Sequence, residues 1–223
     1  MSNTTQKLDA PALSDLPNPQ DRYDRLTVAQ TNGVLRTFFL RLFSVLSDLF
    51  GTRGGRFLNM PYGAFQDTTD QTATANTATV MTFNTTDFAN GVSVVTSGGK
   101  ASRLTVVQAG IYNLQFSAQF QNTDTQEYDA SIWLRKDSSG AGVDIDGSTG
   151  FVGIPSKHGG IDGHIIAGWN YFVTLNANDF VEIWWSTPNT AVTIQAYPAG
   201  TSPTRPTTAS VVATLTFVSN LTS

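Results

Sequence analysis

Residues 102–121 read SRLTVVQAGIYNLQFSAQFQ, and this stretch decides the fold. Two alternating runs meet at Ala109 and Gly110, which predicts two strands joined by a short turn. In the second run, apolar and neutral polar side chains fall on opposite faces. Because a helix would scatter the aromatic residues around its circumference, the run predicts a strand lying on a core. The apolar face consists of Tyr112, Leu114, Phe116, Ala118 and Phe120.

The rest of the chain beyond Val80 repeats this pattern in short segments separated by turn residues. Asn90-Gly91 and residues 176–179 are the clearest turn signals. Many short strands at regular spacing are typical of a β-sandwich. We therefore predict a mainly β protein whose C-terminal head, residues 78–223, is a jelly roll. The further strands are predicted at residues 80–83, 92–95, 130–135, 165–175, 180–185, 192–196 and 211–218.

The N-terminal third has a different character. Residues 1–26 contain three prolines and many small polar residues, which predicts an extended or disordered arm. Residues 27–50 contain no proline, and Val28, Leu35, Leu42 and Leu49 recur every seven residues, which predicts an amphipathic helix. Residues 51–77 begin with a Gly- and Arg-rich segment and are predicted to form a connector.

The apolar stripe of this helix needs a partner surface. Arg36, Arg41 and Asp48 interrupt every window of the length that a membrane span requires, about 20 residues. Two arginines also make a weak basic face for a membrane surface. We therefore expect the helix to dock on another protein or to bundle with sister chains; packing within its own domain is the alternative. The predicted attachment residues are Leu35, Phe38, Phe39, Leu42, Leu46, Leu49, Phe57, Tyr62 and Phe65.

The composition excludes several classes of function. Only 13% of the residues are charged, against about a quarter in typical domains, and neutral polar residues replace them. The net charge is −4 and the basic residues cluster only within residues 36–56, so we expect no nucleic-acid partner. The chain has no cysteine, which excludes disulfides and thiolate metal sites. Its polar N-terminus does not resemble a secretory signal.

Two clusters of residues are candidate metal sites. His158, Asp162 and His164 lie close together, but their glycine neighbours predict an exposed loop and not the inward-pointing ligands of a cupin-type metalloenzyme. Asp144 and Asp146 resemble the start of a calcium loop that lacks its late glutamate, so calcium binding there stays open beside a simple turn. No activated serine is recognisable. We predict no catalytic residue, no metal site and no cofactor, and the cupin-type enzyme is the rival class.

Tryptophans raise a different alternative, because indole rings stack on sugars. Because side chains alternate along a strand, one of Trp184 and Trp185 is expected to point outward. For the same reason, Trp133 is expected on the face of its strand opposite to Ile132 and Leu134. We favour packing in the core or at an interface over a glycan site for these residues.

One set of positions occurs in a characteristic order along the head: Phe83, Asn90-Gly91, Leu104, Gly110-Ile111-Tyr112, Leu114, Phe116, Leu175, Asp179, Val181, Ile183 and residues 211–217. Over about residues 78–220 this order resembles the tumour-necrosis-factor/complement globular-head superfamily, although that family usually has Gly-Asp where this chain has Asn178-Asp179. The resemblance implies a compact ten-stranded jelly roll that forms a homotrimer.

The resemblance also implies which face meets the threefold axis. In that superfamily the sheet of the central strand turns its outer face toward the axis. Here that face is neutral, and the sequence has no charged residue from Leu104 to Asn122. The predicted trimer interface consists of Asn113, Gln115, Ser117, Gln119, Val212, Thr214 and Thr216.

The stretch FFLRLF (residues 38–43) and the stretch GRFLNMPYGAFQ (residues 55–66), joined to such a head, resemble small structural proteins of tailed bacteriophages. This implies a non-enzymatic virion protein, made in the host cytoplasm. It would be a homotrimeric short fibre or capsid decoration, anchored to another virion protein by its N-terminal segment. The alternative is a receptor- or glycan-binding tip module of a phage appendage, with a host surface glycan as its partner.

Overall fold

The structure is a computed structural model that describes residue 22 and residues 24–50, 60–137 and 140–221. The chain divides into two compact units, Met1–Asn59 and Met60–Ser223. The first unit contains one helix and the second contains antiparallel strands, which confirms a mainly β protein with an N-terminal helix. Apart from its last few residues, the arm predicted for residues 1–26 lies outside the described residues.

The helix α1 runs from Arg25 to Phe50, two residues longer at its start than predicted. Asp24 precedes it and caps it, because its carboxylate accepts hydrogen bonds from the Leu26 N–H (3.2 Å) and the Thr27 N–H (3.0 Å). The Thr27 hydroxyl also donates to this carboxylate at 2.7 Å. These hydrogen bonds, that of the Thr27 hydroxyl above all, hold the pKa of Asp24 below its usual value.

The strands of the second unit are numbered in chain order. They are β1 Tyr62–Asp67, β2 Gln71–Thr72, β3 Thr79–Val80, β4 Thr85–Asn90, β5 Val92–Ser97, β6 Lys100–Val106, β7 Gly110–Asn122, β8 Tyr128–Asp137, β9 Val143–Asp144, β10 Gly150–Ile154, β11 Gly163–Leu175, β12 Phe180–Ser186, β13 Val192–Ile194, β14 Gly200–Thr201, β15 Thr204–Arg205 and β16 Val211–Ser219.

Fourteen of these sixteen strands form two sheets of seven strands each. In the first sheet the order is β2-β13-β7-β16-β1-β4, and β11 pairs with β7 along its whole length. In the second sheet the order is β10-β8-β12-β6-β5, with β3 on β12 and β9 on β8. The strands β14 and β15 form a small separate hairpin.

The core lies between the inner faces of the two sheets. Tyr112, Leu114 and Phe116 of β7 are buried, as predicted, and so are Val181 and Ile183 of β12 in the facing sheet. Leu175 lies on β11, and Leu215 and Phe217 lie on β16; these two strands flank β7 in its own sheet. Phe120 meets Trp185 of the second sheet edge to face, with ring centroids 5.6 Å apart.

The chain crosses between the sheets repeatedly. It passes from β6 in the second sheet to β7 in the first, returns to β8, crosses again at β10 to β11, and returns at β12. The Asn90-Gly91 turn also serves such a crossing, since β4 pairs with β1 whereas β5 pairs with β6. Gly91 has a φ of 67°, a conformation that glycine adopts without strain.

The second unit begins earlier than the sequence predicted. The connector was expected to reach residue 77, yet β1 lies within the first sheet from Tyr62 onward. The Phe217 N–H of β16 donates to the Pro61 carbonyl at 2.9 Å, and the Ser210 N–H donates to the Asp67 carbonyl at 2.8 Å. The boundary of the β unit therefore lies at Met60 and not at residue 78.

Candidate interaction surface

The predicted trimer-interface residues lie on the outer face of the first sheet. On β7 and β16 the antiparallel register sets Gln115 opposite Thr214 and Ser117 opposite Val212. Side chains alternate across a strand, so these residues point away from the buried set that includes Leu114 and Phe116. The structure thus brings together all seven predicted positions: Asn113, Gln115, Ser117, Gln119, Val212, Thr214 and Thr216.

This outer face is free of formal charge along its three longest strands. The segments β7, β11 and β16 contain no Asp, Glu, Lys or Arg. Solvent-facing sheets usually carry such residues, which keep the sheet hydrated and block association. A neutral face of this length loses less hydration free energy when it is covered than a charged face would.

Exposed apolar side chains flank the polar centre of the face, and the sequence did not predict any of them at this position. On β11, Ile166 is 62% exposed and Phe172 is 59% exposed. Toward the opposite edge, Tyr62 of β1 and Phe88 of β4 lie together on the surface with ring centroids 6.0 Å apart. Apolar groups clustered on one side of a molecule mark an interaction surface more reliably than scattered ones.

Asn113 carries an unsatisfied acceptor on this face. Its Oδ1 atom is buried and has no hydrogen-bond partner among residues 60–137 and 140–221. In the register, Asn113 lies between Phe172 of β11 and Thr216 of β16. An acceptor that is shielded from water and unpaired costs free energy, so a donor from another molecule would be favourable there.

The outer face of the second sheet has the opposite character. Arg103 and Glu182 form an ion pair there with Nε and Oε1 3.3 Å apart, and Arg135 pairs with Asp144 at 2.8 Å. Trp184 faces outward and Trp185 is fully buried, which confirms that one of this pair leaves the core. The two faces of the sandwich therefore differ in charge, and the neutral one is the better candidate for permanent burial.

The helix α1 is the second candidate surface. Several of the apolar residues predicted for attachment are exposed on it, including Phe39 at 59% and Leu46 at 40%. Phe43, which was not among the predicted attachment residues, is 70% exposed. Leu35 is also exposed, whereas Phe38 and Leu42 are half-buried. The side chain of Leu49 and the whole of Phe57 lie outside the described residues.

No helix among the described residues combines the length and the hydropathy that crossing a membrane requires.

Two predicted attachment residues belong to the β unit instead. Phe65 has no solvent exposure and packs against Phe83 in the core, so its side chain is not available to a partner. Tyr62 is exposed, but it lies on β1 at the edge of the neutral face. The prediction is wrong for Phe65, because consecutive aromatic residues after a Gly-rich segment give no indication of which of them will enter a core, and attachment through Tyr62 stays a prediction.

The histidine cluster has ordinary structural partners. His158 and Ile161 exchange backbone hydrogen bonds of 2.8 and 2.9 Å around a glycine turn. The Asp162 carboxylate pairs with Lys157 Nζ at 2.8 Å, which lowers the pKa of Asp162, and it accepts a hydrogen bond from Gln121. His164 Nδ1 lies 3.0 Å from the Tyr197 hydroxyl. No group of metal-ligating side chains that could hold an ion occurs in the described part of the chain.

Asp144, a candidate calcium ligand, accepts hydrogen bonds from one cationic and one neutral side chain. Asp144 Oδ1 accepts hydrogen bonds from Arg135 Nε at 2.8 Å and from Trp133 Nε1 at 3.0 Å. The hydrogen bond from Arg135, followed by that from Trp133, holds the pKa of Asp144 below its usual value. The structure thus ties Asp144 to β8, whereas Asp146 lies in the following turn.

No protein-family model matches this sequence, and no curated protein is detectably similar to it.

Proposed function

We propose that this chain is a non-enzymatic structural protein of a tailed-phage virion, a homotrimeric short fibre or capsid decoration. The observation that carries the proposal is the long outer face built by β7, β11 and β16, which contains no charged residue. A surface of this kind suits permanent burial between identical copies better than exposure to water.

The head of this proposed protein is a jelly roll. In support, β1-β16-β7-β11 of one sheet faces β10-β8-β12-β6 of the other. Successive long strands alternate between the two sheets, as two interlocked Greek keys require. This strand order also agrees with the resemblance to the tumour-necrosis-factor/complement globular-head superfamily, whose members assemble as trimers.

Identical chains are the proposed partner of the neutral face. Most soluble oligomers are closed and symmetric, so each copy contributes the same patch or two complementary patches. The face offers such patches, with Ile166 and Phe172 toward one edge and Tyr62 and Phe88 toward the other. Burying these side chains contributes about 25 cal/mol per Å² of apolar surface.

The proposed role of α1 is attachment to another virion protein. Its apolar stripe, which includes Leu35, Phe39 and Leu46, is exposed to solvent within the described residues. Three helices presented by one trimer would bind with the gain in avidity that linked sites provide. The proposed location of the protein is therefore the virion.

The test of attachment is incorporation into particles. In the double variant Phe38→Asp/Leu42→Asp, two carboxylates would enter the apolar stripe, so the chain is expected to keep a folded β unit yet be absent from purified virions. The matched control is Thr37→Asp/Ser44→Asp, which places the same charges on the polar side of α1 and is expected to leave incorporation unchanged. Normal incorporation of the first variant would refute attachment through α1.

A further inference from the structure

A groove opens on the outer side of the second sheet, where β12 exchanges one neighbour for another. Val181 of β12 pairs with Leu104 of β6, whereas Trp184 pairs with Val80 of β3. A cavity of about 310 Å³ lies where the pairing partner of β12 changes. Its lining includes Lys100, Ser102, Arg103, Arg135, Glu182 and Trp184.

Glu182 forms the base of this groove. It is only 3% exposed, and its carboxylate accepts hydrogen bonds from Ser102 Oγ (2.8 Å), Arg103 Nε (3.3 Å) and Trp184 Nε1 (3.0 Å). A buried carboxylate with three donors is stabilised and fixed in place. It therefore holds Arg103 and Trp184 in position, and its own acceptor sites are largely occupied.

The two guanidinium groups of the groove are held by aromatic rings. Arg103 lies 4.0 Å from the ring centroid of Phe180, and Arg135 lies 4.1 Å from that of Trp184. Arg103 also donates to the Gly140 carbonyl. Arg103 is thus engaged at Nε and Nη2, whereas the stacking on Trp184 leaves the terminal N–H groups of Arg135 at the edge of its planar group available for a ligand.

Unpaired donors remain at the groove. Arg135 uses Nε for Asp144, and its terminal nitrogens have no acceptor within the described segments. Lys100 Nζ likewise has no ion pair or hydrogen bond to any described residue. Two of the three lining cations, Arg103 and Arg135, are paired with carboxylates, so Lys100 leaves the groove with one uncompensated positive charge in a chain whose net charge is −4. The groove therefore favours an anion.

The size and the remaining lining narrow the class of ligand. A volume of about 310 Å³ is at the lower end for small-molecule sites and suits one or two sugar rings. The planar fork of a guanidinium group matches a carboxylate, and the hydroxyl oxygens of Ser97 and Ser102 can accept hydrogen bonds from a polyhydroxylated ring. We propose that this groove binds the carboxylate-bearing sugar of an acidic glycan. The glycan-binding alternative suggested by the tryptophans is thereby located at Trp184, and it requires neither the trimer nor the attachment helix.

The test is calorimetric titration of the full-length protein with two oligosaccharides that differ only in their terminal sugar, glucuronate or glucose. The glucuronate form is expected to bind at least about tenfold more tightly, the effect of one charge-assisted hydrogen bond. Lys100→Gln removes a cation that has no partner to lose, so it is expected to fold normally and to weaken binding about tenfold. Arg205→Gln removes an exposed cation outside the groove and is expected to change nothing.

Four outcomes would overturn the proposal, three of them from the direct titrations. These three are no measurable binding of the glucuronate form, equal binding of the glucose form, and unchanged affinity in Lys100→Gln. Competition by sodium sulfate as strong as competition by free glucuronate would also overturn it, because the site would then recognise charge and not an acidic sugar. The trimer and the attachment proposals would stand after any of these results.

Discussion

Gln115 of β7 lies directly opposite Thr214 of β16, and both side chains point to the outer face of the first sheet. The residues beside Gln115 in the chain, Leu114 and Phe116, are buried in the core. One strand thus separates a packed apolar face from a neutral polar face. The proposed assembly depends on this separation, since the second face must be flat and uncharged to be covered by another copy.

Gln115→Glu is expected to dissociate the proposed trimer. The substitution would place like charges from several copies on a face that is neutral in the native chain, and the cost of burying each is several kcal/mol. Sedimentation velocity of the purified protein would show a shift to the single chain. The control is Gln126→Glu, at an exposed loop position, which is expected to leave the sedimentation unchanged. An intact trimer in the Gln115 variant would place the interface elsewhere.

Phe116→Ala is expected to destabilise the β unit by about 3–5 kcal/mol, because it empties a large aromatic site. Phe116 is 7% exposed and stacks on Trp169 with ring centroids 5.6 Å apart. Urea denaturation measures the change in the free energy of unfolding. Phe151 provides a control, because it is 74% exposed and its replacement by Ala should change that free energy by only about 0.5 kcal/mol. Equal effects of the two substitutions would contradict the assignment of the faces of β7.

Removal of the N-terminal unit is expected to be tolerated only if β1 is kept. A protein that starts at Met60 retains β1 and should unfold cooperatively on heating. A protein that starts at residue 78 loses Phe65 from the core and Asp67, which is 2% exposed and accepts hydrogen bonds from Thr82 (2.8 Å) and Asn84 (3.0 Å). We expect the shorter protein to lack a cooperative transition in calorimetry. Identical melting of the two proteins would show that β1 contributes nothing to stability.

Tyr112 is expected to make the β unit sensitive to alkali. Burial raises the pKa of Tyr112 to about 12, and its hydroxyl donates to the Gln108 carbonyl at 2.7 Å. In the unfolded chain a tyrosine titrates near about pH 10, so the contribution of Tyr112 to stability is complete below that pH. It is then lost as the pH rises through about 12. Urea midpoints across this window should fall less steeply in Tyr112→Phe than in the wild type, and parallel profiles would contradict the assignment.

Local patterns were sufficient to predict the central strand. The alternation in β7 continues over all 13 residues, so both of its faces could be assigned from the sequence. The same logic assigned Trp184 and Trp185 to opposite faces. In each case one face is continuously apolar, and a shift of one residue would expose it to water.

Other elements could not be predicted because their pattern is irregular or their pairing is distant. In β1 the register shifts between Ala64 and Phe65, and three consecutive residues are buried, so no alternation is visible. The strand β11 has apolar residues on both faces, which conceals Ile166 and Phe172 among residues that face the core. A local sequence also cannot show that Asn90-Gly91 links two sheets and not two paired strands.

The surfaces depend still more on long-range pairing. The groove lies where the pairing partner of β12 changes from β6 to β3, near Glu182. The residues around Glu182 carry no sequence pattern that predicts this change of partner. The Asp24 cap of α1, by contrast, had a readable signal, since an aspartate preceded the helical pattern by three residues.

The central claim is that the native chain is a trimer closed by its neutral face. Multi-angle light scattering of the full-length protein, after size-exclusion chromatography, measures this most directly. The account predicts a mass three times the 24.0 kDa of the single chain, constant over the concentration range of the elution peak. A mass of 24.0 kDa at every concentration would contradict it.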